Sequence, residues 1–233
     1  MSDVVLRLSG ITKRFGTLVA NDGIDLDLRR GEILALLGEN GAGKTTLMNI
    51  LFGHYVADQG KVDVAGAGGA LAPLPPGSPH AALRAGIGMV HQHFTLAENL
   101  SGLDNIMLGT EPVLRLNRRT GAARRKVEAV MRASGLTVDL DVQVSRLTVG
   151  ERQRVEILKA LYRDARILVL DEPTAVLTPT EADGLFATIR SLAAGGLGVI
   201  FISHKLGEVL AVSHRIAVLR GVRRGPPSSS STG

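Results

Sequence analysis

The sequence predicts an α/β fold with a mainly parallel sheet at its core, an N-terminal antiparallel β subdomain and an inserted α-helical subdomain. Three observations support this prediction. Short, nearly all-apolar runs alternate with helical patterns, which implies parallel strands joined by right-handed crossovers. The start of the chain, up to about residue 28, has strand-like sequence instead. Residues 95–165 are mostly helical in pattern and interrupt the alternation.

The N-terminal elements are strands. VVLRLSGITKRF and the alternating GIDLDL at 23–28 predict two strands of the β subdomain. EILALL at 32–37 is a short apolar run, as expected for a strand buried on both faces of a sheet. It leads directly into GENGAGKTT and the helical pattern LMNILFG.

The middle of the chain is less regular. Residues 60–80 are rich in Gly, Ala and Pro, which predicts one short strand followed by a mobile surface loop. GIGMVHQHF at 86–94 predicts another strand. In the helical stretch, TGAARRKVEAVMRASG and VGERQRVEILKALYRD are the clearest helices. Three apolar strands, RILVLDEP, LGVIFISH and RIAVLR, complete the sheet, with the helix TEADGLFATIRSLAAGG among them.

Composition limits the chemistry. The chain has 233 residues, of which 45% are hydrophobic, enough for a sizeable core. With no cysteine, disulfides, thiol catalysis and cysteine metal sites are excluded, which favours magnesium over zinc. The longest apolar runs, at 33–37 and 197–202, are too short to span a bilayer, and the start lacks a secretory pattern. We therefore expect a cytoplasmic protein.

The net charge is +5, with Arg and Lys concentrated at 115–126 and in the last residues. Such a stretch is compatible with a nucleic-acid surface, but only 3% of the residues are aromatic and available to stack on bases. A solvated helix face is the favoured interpretation.

The segment 38–45, GENGAGKT, matches the pattern G-x-x-x-x-G-K-[ST] between a buried strand and a helix. In this motif backbone N–H groups face phosphate oxygens, a lysine neutralises their charge and a hydroxyl ligates Mg²⁺. Glycine loops also occur for structural reasons, but here the lysine and threonine are in register. The fold is thus predicted to be that of a P-loop NTPase. The candidate nucleotide-binding residues are Gly38, Glu39, Asn40, Gly41, Ala42, Gly43, Lys44, Thr45 and Thr46, with Thr45 also a metal ligand.

Two further polar groups follow predicted strands. Asp171 ends the run ILVLD, where ligands bind in open α/β sheets, and is the candidate second ligand of Mg²⁺. Glu172, next to it, is the candidate catalytic carboxylate that polarises the attacking water. His204 follows LGVIFIS and is a candidate contact of the γ-phosphate, although a lone histidine is more often structural.

A second glycine loop, LTVGERQ at 147–153, also opens a helix but contains no lysine. Together, GENGAGKTT, the glutamine in MVHQH, LTVGERQ, ILVLDEP and ISH resemble, in order and spacing, the nucleotide-binding domains of ATP-binding-cassette (ABC) proteins. The resemblance covers residues 4–220, with 95–165 as the helical subdomain. It implies ATP and Mg²⁺ as cofactors and a head-to-tail pair of cassettes, in which Thr148 and Gly150 face the γ-phosphate bound by the partner.

Other roles follow from the same resemblance. Phe15 would stack on adenine, with a core phenylalanine as the alternative. Gln92 would contact Mg²⁺ and report the nucleotide state to membrane subunits. MVHQHFTL, LTVGERQRVEILKAL and EPTAVLTP are similar to the first cassette of importers for simple sugars or nucleosides. The expected partners are a second cassette (homodimer or tandem), membrane permeases and, indirectly, a substrate-binding protein, at the cytoplasmic face of the inner membrane and without nucleic acid.

Some residues depart from the family pattern. Val149 and Glu151 replace a glycine and a glutamine, and Thr178 replaces an aspartate, which predicts an unequal pair of ATP sites. The tail 221–233 is expected to be disordered or aberrant, from a frameshift or truncation or as a natural short end. Two alternatives to an importer subunit stay open: a soluble cassette ATPase acting on ribosomes or nucleic acid, and an inactive fragment of a tandem-cassette protein.

Overall fold

The computed structural model describes residues 3–66, 68–91, 94–110, 120–220 and 223–224. Gln92, the segment 111–119 and all of the tail 221–233 except Arg223–Arg224 lie outside the described residues. Within the described ranges, no helix is both long and apolar enough to cross a membrane.

An antiparallel sheet contains the N-terminal strands. Its order is β10-β2-β1-β4-β5. The long strands β1 and β2 pair along most of their length, and β4 pairs with the other edge of β1. The predicted N-terminal antiparallel β subdomain is therefore confirmed. The strands are β1 (Val4–Phe15), β2 (Leu18–Arg29), β4 (Gln59–Ala65), β5 (Leu71–Pro73) and β10 (Arg223–Arg224).

Within residues 60–80, the prediction of a mobile loop after one short strand was wrong. β4 turns back at Gly66, whose N–H donates to the carbonyl of Ala70, and β5 then pairs antiparallel with β4. β5 is an edge strand, where a proline such as Pro73 is tolerated because its missing N–H faces no partner strand. The Gly, Ala and Pro content thus reflects a tight hairpin rather than an unstructured loop.

The second sheet is parallel throughout and has the order β6-β7-β8-β3-β9. All its carboxyl ends lie at one edge, which is where the loops carrying the candidate motifs emerge. The predicted parallel core is confirmed. The strands are β3 (Ile33–Leu37), β6 (Ile87–Val90), β7 (Ile167–Asp171), β8 (Gly198–Ser203) and β9 (Arg215–Val218).

Helices surround this sheet, and a 3₁₀ turn at Val144–Arg146 precedes α5. The helical pattern at 95–165 corresponds to α3, α4 and α5, as expected. The short helices α2 and α7 had no sequence prediction, because six or seven residues are too few to display a helical period. The helices are α1 (Lys44–Leu51), α2 (Pro79–Arg84), α3 (Gly102–Met107), α4 (Thr120–Ser134), α5 (Val149–Tyr162), α6 (Pro179–Ala194) and α7 (Leu206–Val212).

The core has two layers, one on each face of the parallel sheet. Ile33 and Ala35 of β3 point into a layer shared with α3, α4, α5 and α6. Leu34 and Leu36 point into a layer shared with α1 and the antiparallel sheet. All four side chains are fully buried, so β3 is rigidly held. The position of the loop that follows β3 is therefore fixed at its first residue.

Candidate nucleotide-binding site

The loop between β3 and α1 adopts a conformation that requires glycine. Gly41 and Gly43 both have φ of 86°, in the left-handed region. A Cβ on Gly43 would lie 2.2 Å from the carbonyl oxygen of Ala20, so a side chain is excluded there on steric grounds as well. The loop therefore wraps closely against β2, and the backbone of 41–43 can form a concave N–H surface.

The start of α1 leaves its N–H groups available. Gly43 occupies the N-cap position, and no side chain in the described part of the chain makes a capping hydrogen bond there. Unpaired N–H groups and the positive end of the helix dipole favour an anion at this point. The geometry therefore suits a phosphate group.

The side chain of Lys44 packs against the loop between β3 and α1. Its side chain is buried, and its Nζ donates hydrogen bonds to the carbonyls of Gly38 and Glu39, the latter at 3.0 Å. Both acceptors are neutral carbonyls, so the positive charge has no carboxylate partner within salt-bridge range among the described side chains. It stays available for an anion above the loop.

A cavity of about 510 Å³ lies over this loop. Its walls combine the predicted phosphate loop, the predicted adenine contact and the predicted acidic pair: Phe15, Leu18, Ala20, Asn40, Gly41, Ala42, Gly43, Lys44, Thr45, Thr46, Asp171 and Glu172. A larger cleft, of about 850 Å³, lies beside the first residues of β7, away from these groups. The chemistry therefore favours the smaller cavity as the candidate site.

Phe15 stands at one end of the cavity. Its side chain is 43% exposed, which does not fit the alternative of a core phenylalanine. The ring packs edge-to-face against Tyr55, with 5.6 Å between centroids, and the ammonium of Lys13 lies 5.5 Å from its centroid. One face of a fixed aromatic ring is thus presented for stacking.

The two predicted carboxylates lie at the carboxyl end of β7. Asp171 is the last residue of the strand, and burial, followed by the negative charge of Glu172, raises the pKa of its carboxyl. Two adjacent carboxylates at this depth repel each other, and a hard divalent cation would relieve the repulsion. The oxygens of Asp171 and the hydroxyl of Thr45 therefore fit Mg²⁺. Among the described residues, no group of three or more His, Asp or Glu side chains is placed to hold a metal ion, here or elsewhere.

Glu172 has an unusual backbone. Its φ of 46° lies in the left-handed region, which non-glycine residues seldom adopt. The N–H of Glu172 donates to the carbonyl of Ile202 on β8 at 3.0 Å. This bond anchors the residue to the neighbouring strand and turns its side chain, only 15% exposed, toward the cavity lined by the phosphate loop.

His204 contacts Glu172 directly. It follows β8, and its Nδ1 lies 2.8 Å from Oε1 of Glu172. The sequence prediction placed His204 on the γ-phosphate and did not include this contact. This contact could not be predicted from the sequence alone, because the sequence does not indicate that β7 and β8 are neighbours in the sheet. The contact leaves the second carboxylate oxygen of Glu172 free of the histidine.

The second glycine loop lies outside the cavity lining. Thr148 is the N-cap of α5: its hydroxyl accepts from the N–H of Glu151, and the Glu151 carboxylate accepts from the N–H and hydroxyl of Thr148. Glu151, which departs from the family pattern, is therefore half of a capping box. The same box recurs at Thr178 and Glu181 on α6. The spacing T-x-x-E in the sequence was the signal for both, and sequence reasoning missed it.

Comparison with known proteins also indicates a nucleotide-binding protein. A family model described as "ABC transporter" matches residues 21–175. The nucleoside import ATP-binding protein NupA of Lactococcus lactis subsp. cremoris (strain MG1363) is 47% identical over 219 residues, covering 94% of this chain and 42% of that protein. The ribose import ATP-binding protein RbsA 1 of Burkholderia thailandensis is 49% identical, with the same coverage. The chain thus spans less than half the length of these curated relatives.

Solved structures agree with the fold. The ADP conformation of MJ1267, an ATP-binding cassette of an ABC transporter, superposes with a TM-score of 0.81 at 26% identity, covering 95% of this chain and 91% of that one. A nucleotide-free ATP-binding cassette from an ABC transporter gives a TM-score of 0.79 at 25% identity, covering 96% and 92%. The predicted fold class and the resemblance to importer cassettes are confirmed. The chain belongs to the ABC transporter family and is an ATP-binding cassette.

Proposed function

We propose that this chain is an ATP-binding and ATP-hydrolysing subunit that energises import of a small solute, a simple sugar or a nucleoside, through partner membrane permeases. The observation that carries the proposal is the shared cavity: one space is bordered by the exposed ring of Phe15, the lysine-bearing glycine loop and the carboxylates of Asp171 and Glu172. These are the parts needed to bind a nucleoside triphosphate and hydrolyse it.

In this proposal the nucleotide lies along the cavity. Adenine stacks on Phe15, and the β- and γ-phosphates occupy the N–H surface at the start of α1. Lys44 then exchanges the carbonyls of Gly38 and Glu39 for phosphate oxygens, a favourable exchange because a charge-assisted bond replaces one to a neutral acceptor. The buried position of the lysine holds it close enough to do so without a large movement.

Thr45 and Asp171 would hold Mg²⁺, and Gln92 is a further candidate ligand. The ion, when bound, supplies positive charge against the phosphate oxygens. Burial, and after it the charge of Glu172, raises the pKa of Asp171, and a bound cation would offset both costs of its charged form. Glu172 is left to act on the water.

Glu172 is proposed as the group that orients the attacking water and accepts a hydrogen bond from it. His204 holds one oxygen of the carboxylate, which fixes the orientation of the other toward the water. The histidine is 44% exposed, so it can also reach the γ-phosphate after the nucleotide binds.

The second glycine loop is proposed to serve a partner cassette. Thr148 and Gly150 would face a γ-phosphate held by that partner, either another copy of this chain or a tandem cassette. Three apolar side chains near the proposed site residues in sequence are exposed: Val149 at 37%, Val176 at 58% and Leu206 at 55%. Exposed apolar side chains beside Thr148, Glu172 and His204 in sequence support an interface there.

The solute and the other partners are proposed from the relatives. Their printed names describe nucleoside, ribose and glucose import ATP-binding proteins. We therefore propose a sugar or nucleoside as the solute, membrane permeases and a substrate-binding protein as partners, and a peripheral position at the cytoplasmic face of the inner membrane.

The alternative of a nucleic-acid partner finds less support in the described residues. On α4, Arg124 forms an ion pair with Asp141, and Lys126 forms one with Asp164 at 2.9 Å. Lys126 also lies 4.9 Å from the ring centroid of Tyr162. Charges engaged in this way offer less to a phosphate backbone.

The direct test is ATP binding and hydrolysis by the purified chain and two lysine variants. Lys44→Ala should abolish ATP binding, whereas Lys61→Ala, whose exposed side chain lies on β4, should bind ATP as the unaltered chain does. ATP affinity that is the same in all three proteins would contradict the phosphate-loop role. For the import role, co-purification with membrane permeases is the expected result. Salt-sensitive binding to RNA or DNA would favour the alternative instead.

A further inference from the structure

A cluster of buried polar side chains lies directly behind the proposed catalytic pair. Gln153, Thr174 and Ser203 are all at most 4% exposed. They belong to three separate parts of the chain: α5, the segment after β7 and the end of β8. Buried polar groups need partners, and the partners here all lie around Glu172 and His204.

Glu208 on α7 joins two of these segments. Its Oε2 accepts from the hydroxyl of Thr174 at 2.6 Å and from the hydroxyl of Ser203 at 3.1 Å, while its Oε1 accepts from the ammonium of Lys205 at 2.9 Å. Burial raises the pKa of Glu208, but the hydrogen bonds from Thr174, Lys205 and Ser203 together outweigh it, so the pKa lies below its ordinary value. The carboxylate is thus charged and accepts bonds from both sides.

The hydroxyl of Ser203 also accepts from the N–H of Lys205 at 3.1 Å. These two bonds enclose His204, the residue between them in sequence. The path of the backbone through His204 is therefore set by Ser203 and Glu208 rather than by the histidine itself.

Gln153 holds the same region from the opposite side. Its amide donates to the carbonyl of Pro173 at 2.7 Å, and Pro173 directly follows Glu172. Glu172 has the left-handed backbone described above, which persists only where its surroundings enforce it. Pro173 and Thr174 are each tied to a helix, and the N–H of Glu172 is tied to β8.

We propose that Gln153 and Glu208 are positioning residues for hydrolysis: they clamp the segment 172–174 and the turn through His204 so that the two side chains meet at the cavity. Neither residue lines the cavity or touches the proposed nucleotide position. The proposal rests on the proposed ATPase function and adds to it the groups that maintain the geometry of Glu172.

The first test uses amide hydrogen exchange and needs no turnover. Glu208→Ala should increase exchange in the segment 172–177, where Ala175 and Leu177 donate to the carbonyls of Glu172 and Thr174, and leave the segment 38–51 unchanged. Unchanged exchange in 172–177 would overturn the clamp. This result is separate from the proposed function, which fails instead if the unaltered chain does not bind ATP.

The second test separates positioning from binding. At saturating MgATP, Glu208→Ala should lower kcat by about tenfold or more, because a catalytic group displaced by a fraction of an ångström loses much of its effect. The Kd for ATP should change by less than about twofold, since no residue of the phosphate loop is altered. A loss of ATP affinity without a loss of kcat contradicts the proposal.

Two control variants and a second test variant complete the set. Glu208→Gln keeps an oxygen acceptor for Thr174 and Ser203 and should retain most of the turnover. Lys205→Ala removes only the ion pair, made by a lysine that is 48% exposed, and should leave turnover unchanged. Gln153→Met preserves volume without a donor and should lower kcat as Glu208→Ala does. If Glu208→Gln is as slow as Glu208→Ala, the hydroxyl contacts are not what matters.

A double-mutant cycle tests the route of action. If Glu208 acts through Glu172, Glu208→Ala should change the residual turnover of a Glu172→Ala protein by less than about twofold. An equal loss in both backgrounds would mean that Glu208 acts independently of the carboxylate, and the inference would then be wrong.

Discussion

At the residue scale, the carboxyl of Asp171 lowers the stability of the folded chain when it is charged. Its folded-state pKa is raised above the ordinary value of 3.8, chiefly by burial and then by Glu172. Between the unfolded and folded pKa values, the folded chain binds more protons than the unfolded chain, so this carboxyl opposes folding more as pH rises through that window. Above the folded pKa the opposition is complete. Without a metal ion, the charge is therefore most costly above the folded-state pKa.

The first prediction follows for Asp171→Asn. Without nucleotide or metal at pH 7, the variant should have a Tm a few degrees above that of the unaltered chain. The gain should shrink as pH is lowered toward 3.8. Mg²⁺-dependent ATP hydrolysis should be lost. Thermal unfolding across pH, combined with a hydrolysis assay, measures both effects.

Asp58 provides the matched control, because its pKa is lowered by hydrogen bonds from Lys13 and from the N–H of Arg14. That carboxylate favours folding above its unfolded pKa and loses the contribution as pH falls. Asp58→Asn should therefore lower Tm slightly at pH 7. An Asp171→Asn protein that also loses stability at pH 7 would contradict the account given for Asp171.

At the element scale, the start of α5 performs two roles with one hydroxyl. Thr148 caps the helix, and in the proposed function it also faces the partner's nucleotide. Thr148→Ala should lower the free energy of unfolding by about 1 kcal/mol through the lost cap. It should also lower hydrolysis, whereas Thr148→Ser should keep both properties. Denaturant unfolding and hydrolysis assays distinguish the two effects.

Ser78, the N-cap of α2, is a control for the capping effect alone. Ser78→Ala should cost a comparable amount of stability and leave hydrolysis intact, because α2 lies away from the cavity lining. If Ser78→Ala and Thr148→Ala reduced hydrolysis equally, the loss would belong to general destabilisation, and the separate role of Thr148 would be unsupported.

The elements differ in how far sequence could predict them. β3, β7 and β8 were predictable because each is a continuous apolar run next to a loop with a specific chemical pattern. β5 and α7 were not, because such short elements are stabilised by the sheet or helix beside them rather than by their own sequence. The phosphate loop was predictable as well, because its chemical pattern directly follows the apolar run of β3. Contacts between distant segments, such as His204 with Glu172 and Gln153 with Pro173, depend on strand order and helix docking.

At the scale of the whole molecule, exposed apolar side chains follow the two strands that lead to the proposed catalytic pair. Val176 and Leu206 are each more than half exposed, and they lie in the segments that follow β7 and β8, shortly after Glu172 and His204. Val149 begins the helix tied to Pro173 by Gln153. Exposed apolar side chains of this kind gain free energy when another surface covers them, at about 25 cal/mol per Å².

The last prediction is ATP-dependent self-association through these exposed side chains. Glu172→Gln should bind ATP without hydrolysing it, and with ATP and Mg²⁺ it should run as a dimer in size-exclusion chromatography with light scattering. Adding Val176→Asp should restore the monomer, because a charge buried at the centre of an interface costs several kcal/mol. Leu108→Asp, at a side chain that is 47% exposed on the helical subdomain, should leave the dimer intact. A Glu172→Gln, Val176→Asp protein that still dimerises with ATP would show that the two chains meet through a different surface.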